Sequence, residues 1–340
     1  TTQPSATISV DNTNDIIAPQ NFVSEIKSLV ARLSQENPDF IFFNKVLINN
    51  VETTYQSSDG VDYSYKGNSL SIGLLAKHKQ SANVMDEFVG ADANYYDQDA
   101  FCADAKLLLD NYLNKIDQVE EDELPVICEG LDIFQYMLNN FVADLYCNNA
   151  SLLNGKLGQQ VFNKNFSFVF DRDAKRAKHN VPFYDAEGVV NDDYKIALIE
   201  NGVFKNLLTT KKSAAQYGVD NIGTANASYI TPPSLGLGGA TIPTTHASLQ
   251  DILGNQKAIY ISMTGGGDAT PSGDVSVPCM TAYLYQDGKL QGRLPGLSIG
   301  GNVFSLFGEG FMGVADNGIF SYGNRKHVVF KAKLVNKETN

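Results

Sequence analysis

Residues 194–209, YKIALIENGVFKNLLT, carry the clearest local folding signal in the chain. Two short segments rich in apolar residues, 194–199 and 203–209, flank the dipeptide Asn201-Gly202. Because Asn-Gly favours the positive φ angles of a two-residue turn, this stretch predicts a β-hairpin. The same kind of pattern predicts more strands and turns, and so a mostly antiparallel β domain over 151–340: strands at Phe166–Phe170, Ala258–Met263, Val275–Tyr285 and His327–Leu334, and turns at Asp287-Gly288 and Asn317-Gly318.

The first 150 residues mix helical and strand patterns. Apolar residues at helical spacing predict helices over 21–36, 99–116 and 131–146, and the last should pack through Phe134, Leu138, Phe141 and Leu145. Residues 40–77 predict a β-meander with turns at Asn49-Asn50, Asp59-Gly60 and Gly67-Asn68. The predicted fold class is therefore α+β in three parts: a polar lead (1–20), an N-terminal α/β region with a meander (21–150), and a Gly-rich β domain (151–340).

Charge and glycine content also change near residue 150. Residues 1–150 carry a net charge of −15 and 5 glycines, whereas residues 151–340 carry +3 and 24 glycines. The total of −12 argues against nucleic acid as a partner, and the absence of a long apolar run argues against a membrane partner. Four scattered cysteines without a CxxC pair, together with a polar lead that shows no signal peptide, favour a cytoplasmic location.

Residues that could carry chemistry are few. The four histidines lie far apart in sequence without a zinc-binding helical spacing, and His78, His179 and His327 are interpreted as surface positions. The acidic run 120–123 is interpreted as solvated surface. The glycines Gly265, Gly266 and Gly267 follow a strand without the Lys-Ser/Thr of a phosphate loop, which favours close approach of a neighbouring strand or a peptide. We therefore expect no cofactor and no metal, although a zinc site built from distant His and Cys stays open.

Several segments, taken in order, resemble the TldD/PmbA family, which has been described as modulators of DNA gyrase and is grouped with peptidases. The agreement covers about residues 125–330 and extends more weakly through the meander. The segments that carry the resemblance are SLLNGKLGQQVF (151–162), PFYDAEGV (182–189), LIENGVFKNL (198–207), GTAN (223–226), residues 265–277, Gly300-Gly301-Asn302 and Gly313-Val314.

The resemblance implies a relation to metallopeptidases, which in the TldD branch carry an HExxxH helix and a later Cys ligand. Counting back from residue 151 places the family's metal motif on Phe134, Gln135 and Asn139, and the Cys region appears as 321–323 without a Cys. Phe has no ligand atom, and Gln cannot take a proton from a metal-bound water. The chain therefore resembles the non-catalytic PmbA (TldE) branch, lacking the family's usual N-terminal part, and we expect no catalytic residue in it.

Three hypotheses for the function stay open from the sequence. The first is a non-catalytic subunit of a TldD/TldE-type metallopeptidase complex that acts on unfolded peptides, paired with a TldD-like catalytic subunit or with itself as a dimer. The second is an independently active peptidase or other hydrolase with an atypical site. The third is a module that binds extended peptides by β-augmentation beside Gly265, Gly266 and Gly267.

Overall fold

The chain forms a mixed helix and strand structure, which a computed structural model describes at residues 6–176, 180–228, 230–316 and 318–336. The strands within these ranges are β1 Ala6–Asn12, β2 Phe40–Gln56, β3 Val61–His78, β4 Glu87–Ala93, β5 Glu123–Glu129, β6 Phe168–Asp171, β7 Lys195–Glu200, β8 Val203–Phe204, β9 Ala225–Asn226, β10 Ser234–Leu235, β11 Ala240–Thr241, β12 Ala258–Thr264, β13 Asp268–Ala269, β14 Asp274–Gln286, β15 Lys289–Arg293, β16 Leu297–Asn302, β17 Phe311–Asp316 and β18 Lys326–Asn336.

The described residues form fewer helices than strands. They are α1 Phe22–Glu36, α2 Gln98–Leu113, α3 Ala143–Cys147, α4 Lys211–Tyr217, α5 Leu249–Leu253 and α6 Val303–Leu306, with 3-10 turns at Pro19–Asn21, Phe134–Phe141 and Asp192–Tyr194. Among the helices so described, none is both long and apolar enough to cross a bilayer. The predicted α+β class is confirmed. Two sequence predictions, His179 and the first residue of the Asn317-Gly318 turn, fall outside the described residues.

Two compact units alternate along the sequence. The first unit comprises Thr1–Asn14, Asn49–Ser69 and Phe134–Pro243. The second unit comprises Asp15–Ile48, Leu70–Ile133 and Thr244–Asn340. The chain changes unit five times and does not do so near residue 150, where the sequence predicted one boundary. Charge and glycine content divide the sequence into two consecutive parts. Each compact unit, in contrast, is assembled from segments that are distant in sequence.

The first unit is built on short strands. The sheet β11-β6-β7-β8 is antiparallel throughout, and β1 pairs in parallel with the start of β3. The predicted hairpin β7–β8 is confirmed, since Asn201 and Gly202 have φ angles of 50° and 79°. Helix α4 ends at Gly218, which adopts the left-handed conformation at φ 66°.

The second unit packs helices against sheets. Helix α1 is confirmed, with Leu29 and Leu33 fully buried, and α2 buries its predicted stripe in the same core as the second half of β3. In the larger sheet the pairings β12–β5, β5–β18, β18–β16, β16–β14 and β14–β12 close a ring of strands. The turn Asp287-Gly288 is confirmed, with φ angles of 53° and 78°.

The consecutive strands β2, β3 and β4 pair side by side as a β-meander requires, but two of the three predicted turns are wrong. The strands β2 and β3 are 17 and 18 residues long, and they run through the positions where turns were predicted at Asn49-Asn50 and Gly67-Asn68. The turn at Asp59-Gly60, which joins them, is confirmed, with Gly60 at φ 83°. The Asn68 side chain does not close a turn of its own, because it accepts from Asn14 N at 2.7 Å and donates to Asn14 O at 2.9 Å.

The predicted helix over 131–146 is also wrong as a single element. A 3-10 helix occupies Phe134–Phe141, Val142 is extended with ψ 126°, and α3 then begins at Ala143. The break has a tertiary cause, because Leu208 N donates to Phe141 O at 2.8 Å and Ala143 N donates to Leu208 O at 3.1 Å. This bridge turns Leu145 toward solvent, where it is 37% exposed, so its predicted core role is wrong.

Candidate functional site

Phe134, the first of the three positions where the resemblance places a metal motif, lies in the hydrophobic core of the first unit. Its side chain is 0% exposed. Four other phenylalanine rings surround it with centroid distances of 5.1–6.2 Å: Phe141, Phe162, Phe166 and Phe168. Tilted and edge-on aromatic pairs at these distances stabilise a core beyond the area that they bury. The predicted packing role of Phe134 is therefore confirmed.

Gln135 and Asn139, at the other two motif positions, are exposed, while Phe134 points inward. The three side chains therefore do not converge on one point, and they offer at most two neutral carboxamides. Zinc sites use Cys, His and carboxylate ligands, so a catalytic zinc ion does not fit these residues. Elsewhere in the described parts of the chain, no group of three or more His, Cys, Asp and Glu side chains is placed to hold a metal.

The segment 321–323, at the expected Cys region, has a structural role in the second unit. Both Ser321 N and Ser321 Oγ donate to the Asp104 carboxylate, at 2.9 Å each to Oδ1. Tyr322 N donates to Asp104 Oδ2 at 2.7 Å, and the Tyr322 side chain is fully buried. This carboxylate therefore ties the segment to helix α2.

The glycines Gly265, Gly266 and Gly267 join β12 to β13, both of which pair with β14. Gly265 N donates to Pro278 O at 2.7 Å, and a Cβ at Gly265 would lie 3.2 Å from Met280 Cγ. Gly266, at φ 91°, has open space on its Cβ side. The close approach that the sequence predicted therefore exists, and the strand that approaches is β14.

A part of β12 that is not paired with β5 lies immediately before these glycines. Strand β12 pairs with β14 from Ala258 to Thr264, but with β5 only at Ile259 and Tyr260. The residues of β12 after Tyr260 thus extend past β5. Such a part of a strand can receive an extended segment by backbone hydrogen bonding.

A fully buried carboxyl group, which the sequence reasoning missed, lies in the second unit. Glu87 is 0% exposed, accepts from Ser262 Oγ at 2.7 Å and from Phe88 N at 2.8 Å, and also accepts from the Tyr283 hydroxyl. Burial raises the pKa of Glu87 to about 7, although these three hydrogen bonds and the Arg293 charge oppose the rise. No local pattern marks this group, because Ser262 and Tyr283 come from strands far away in sequence.

A second hydrogen-bonded network centres on Glu129 at the end of β5. Glu129 Oε1 accepts from Tyr260 Oη at 2.9 Å and from Arg325 Nη1 at 2.6 Å. Burial alone would raise the pKa of Glu129, but the charges of Arg325 and His327 and these hydrogen bonds lower it below the usual value. The guanidinium of Arg325 also donates to Gly90 O and lies over the Phe320 ring, 4.3 Å from its centroid.

His327, predicted at the surface, is wholly buried, so that prediction is wrong. It lies on β18, which is paired on both sides, and its ring contacts Tyr260 edge-on at a centroid distance of 6.0 Å. Its Nδ1 accepts from Gly318 N at 3.1 Å, and its Nε2 has no partner among the described residues. Burial, reinforced by the Arg325 charge and opposed by that of Glu129, lowers the pKa of His327 to about 4.

A cavity of about 310 Å³ opens beside this network. Its polar lining includes Glu129, Asp132, Ser262 and Arg325. Apolar side chains complete the wall: Ile72, Phe88, Leu108 and Ile261. All of these residues belong to the second unit, so the cavity is a feature of that unit by itself.

Comparison with known proteins gives one family match. Residues 128–325 match the model described as the PmbA/TldA metallopeptidase C-terminal domain. An uncharacterised protein of Methanocaldococcus jannaschii is 30% identical over 210 residues, which cover 60% of this chain and 48% of the relative. A zinc metalloprotease TldD homolog of Saccharolobus solfataricus is 24% identical over 265 residues, which cover 74% of this chain and 58% of the relative. The chain thus spans about half the length of these relatives.

The same fold occurs in a solved structure. The crystal structure of TldE from Thermococcus kodakarensis matches 99% of this chain and 79% of its own chain, with a TM-score of 0.80 and 19% sequence identity. At that level of identity the match establishes the fold alone. It agrees with the α+β architecture built from the elements above.

Proposed function

The chain belongs to the PmbA/TldD metallopeptidase family, and from this we propose that it is a non-catalytic subunit of the PmbA (TldE) kind. In this proposal it works with a TldD-like catalytic subunit in a peptidase complex that acts on unfolded peptides. The free thiols of all four cysteines suit the reducing cytoplasm, where we place this activity.

The observation that carries the proposal is the environment of Phe134. At the position where the resemblance puts a metal-binding histidine, a phenylalanine fills the core of the first unit with 0% exposure. The site is therefore used for packing, and a histidine there would bury a polar ring among four phenylalanine rings. The other two positions, Gln135 and Asn139, carry exposed carboxamides.

The part of β12 that extends past β5 supports a role in holding peptide. An extended peptide that paired with β12 beyond Tyr260 would run toward Gly265, Gly266 and Gly267. The absence of a side chain at Gly266, whose Cβ side is open, leaves room for a second backbone. This part of β12 also favours the second candidate function, a peptide-binding module that acts without a catalytic partner.

The test is an assay of peptide turnover with and without a partner. The chain is purified alone and incubated with a pool of unstructured peptides, with and without added zinc, and then again with a TldD-type protein from the same organism. We expect peptide turnover only in the mixture of this chain with the TldD-type protein. Adding a chelator to that mixture should abolish the turnover. Gln135→Ala in this chain should leave the mixture active, since Gln135 has no chemical role in the proposal.

Two results would decide against the proposal. Turnover by the chain alone that survives both chelator and Gln135→Ala would support an independent hydrolase with an atypical site. Absence of turnover in the mixture, together with saturable binding of peptides by the chain alone, would support the peptide-binding module.

A further inference from the structure

The cavity beside Glu129 is separate from the motif positions and from the glycine segment, and it has the chemistry of a binding site. Its polar groups come from distant parts of the second unit: Glu129 from β5, Ser262 from β12 and Arg325 from the segment before β18. Three segments that are far apart in sequence thus contribute to one cavity lining. The apolar wall beside them suits a ligand with a short hydrocarbon stem and one polar end.

The carboxylate of Glu129 is satisfied on one oxygen only. Oε1 receives the hydrogen bonds from Tyr260 and Arg325, whereas Oε2 has no partner among the described residues. The Glu129 side chain is 35% exposed although it binds Tyr260 and Arg325. One oxygen of an ionised carboxylate is thus available as an acceptor in the cavity.

Arg325 does not offer a matching site for an anion. Nη1 donates to Glu129 and Nη2 donates to Gly90 O, while the flat face of the guanidinium covers the Phe320 ring. Nη1 and Nη2 are thus engaged and the guanidinium neutralises Glu129, while Nε is buried without a partner among the described residues. The carboxylates of Asp132 and Asp92, which also line the cavity, leave the lining with an excess of negative charge.

The lining favours an organic cation over a metal ion. No group of three His, Cys, Asp and Glu side chains in the described residues is placed for metal coordination. Ser262 Oγ uses its proton in the bond to Glu87, at 2.7 Å, so toward a ligand it can only accept. Acceptors with different geometries around an apolar wall suit an –NH₃⁺ group, which has three donors that can point in different directions.

We propose that this cavity binds a primary alkylammonium group, which donates to Glu129 Oε2, to Ser262 Oγ and to the Asp132 carboxylate. Its hydrocarbon stem contacts Phe88 and Ile261. The terminal ammonium of a peptide and the side chain of a lysine both present this chemistry. The proposal concerns the second unit alone and does not rest on the function proposed above.

The experiment is calorimetric titration of the whole chain at pH 7.5 with n-butylammonium. We expect saturable binding at one site per chain and none for 1-butanol or butyrate. Glu129→Gln and Ser262→Ala should each weaken binding by tenfold or more, whereas Glu309→Gln, at an exposed carboxylate of the same unit, should leave it unchanged. Alanine amide and N-acetyl-lysine amide distinguish the two sources, and the one that binds more tightly identifies the natural group.

Two results would overturn the proposal. In the first, the parent chain, Ser262→Ala and Asp132→Asn all bind n-butylammonium with the same affinity. These two variants are chosen because they leave the Glu129–Arg325 pair intact. The second result is binding of butyrate in place of n-butylammonium, which would make the cavity an anion site at Arg325. Circular dichroism of each variant establishes that a loss of binding is not a loss of folding.

Discussion

Replacing Glu87 by Gln should make the second unit more stable above pH 7. Glu87 is 0% exposed, and burial raises its pKa from the ordinary 4.5 to about 7. The folded state therefore holds the proton at pH values where the unfolded chain has lost it. Gln has the shape of the protonated acid and can keep the bonds from Ser262 and Phe88, but it never carries the buried charge.

The sign and size of the effect follow from proton linkage. A carboxyl group with a raised pKa contributes its full stability below pH 4.5, and that stability is lost as the pH rises through 7. At roughly 1.4 kcal/mol for each pH unit between the two pKa values, the loss is about 3 kcal/mol. The free energy of unfolding of Glu87→Gln relative to the parent chain should therefore rise by about that amount between pH 4.5 and pH 8.

The assay is urea unfolding followed by circular dichroism at half-unit steps from pH 4.5 to pH 8. Other carboxylates titrate in the same way in both proteins, so the difference between them isolates Glu87. Glu309→Gln is the matched control because Glu309 is exposed, and its difference curve should be flat. A flat curve for Glu87→Gln as well would refute the reasoning, since Glu87 would then be ionised in the folded chain without cost.

Three further predictions concern packing, backbone and acid stability. Phe134→Ala should cost ~3–5 kcal/mol in urea unfolding because it empties a site among four rings, whereas Gln135→Ala should change stability by less than about 0.5 kcal/mol; similar costs for both would contradict the buried placement. Gly202→Ala should cost clearly more than Gly288→Ala by thermal unfolding, because both glycines have positive φ but only at Gly202 would a Cβ meet backbone oxygen, at 2.4 Å from Phe162 O. The pKa of His327 is lowered to about 4, so its ring signals in NMR should stay those of neutral imidazole down to pH 5, and stability should fall between pH 6.5 and pH 4; a titration midpoint near 6.5 would rule this out.

Local sequence signals predicted those parts of the fold that depend on neighbouring residues. The hairpin at Asn201-Gly202 and the helix α1 follow from turn chemistry and periodicity, and both are confirmed. The helix over 131–146 failed at Val142, because the carbonyl and amide of Leu208 bind the backbone there. Periodicity within one segment holds no information about such a partner.

In the candidate sites, too, features that depend on neighbouring residues could be predicted and features that depend on distant residues could not. The burial of Phe134 could be predicted, because it belongs to an apolar stripe. The environments of Glu87 and Glu129 could not, because the partners Ser262 and Arg325 lie 175 and 196 residues away in sequence. A fully buried His327 among Lys and Val neighbours likewise depends on the two strands that flank β18.

The central claim is that this chain contributes structure and peptide contacts to a peptidase whose catalysis lies in another subunit. The most direct measurement is the rate of peptide cleavage by a fixed amount of a TldD-type partner as this chain is added in increasing amounts. The account predicts a rate that rises and reaches a plateau at a fixed ratio of the two chains, with no cleavage when the partner is omitted. Cleavage that scales with the amount of this chain alone, and persists in chelator, would contradict it.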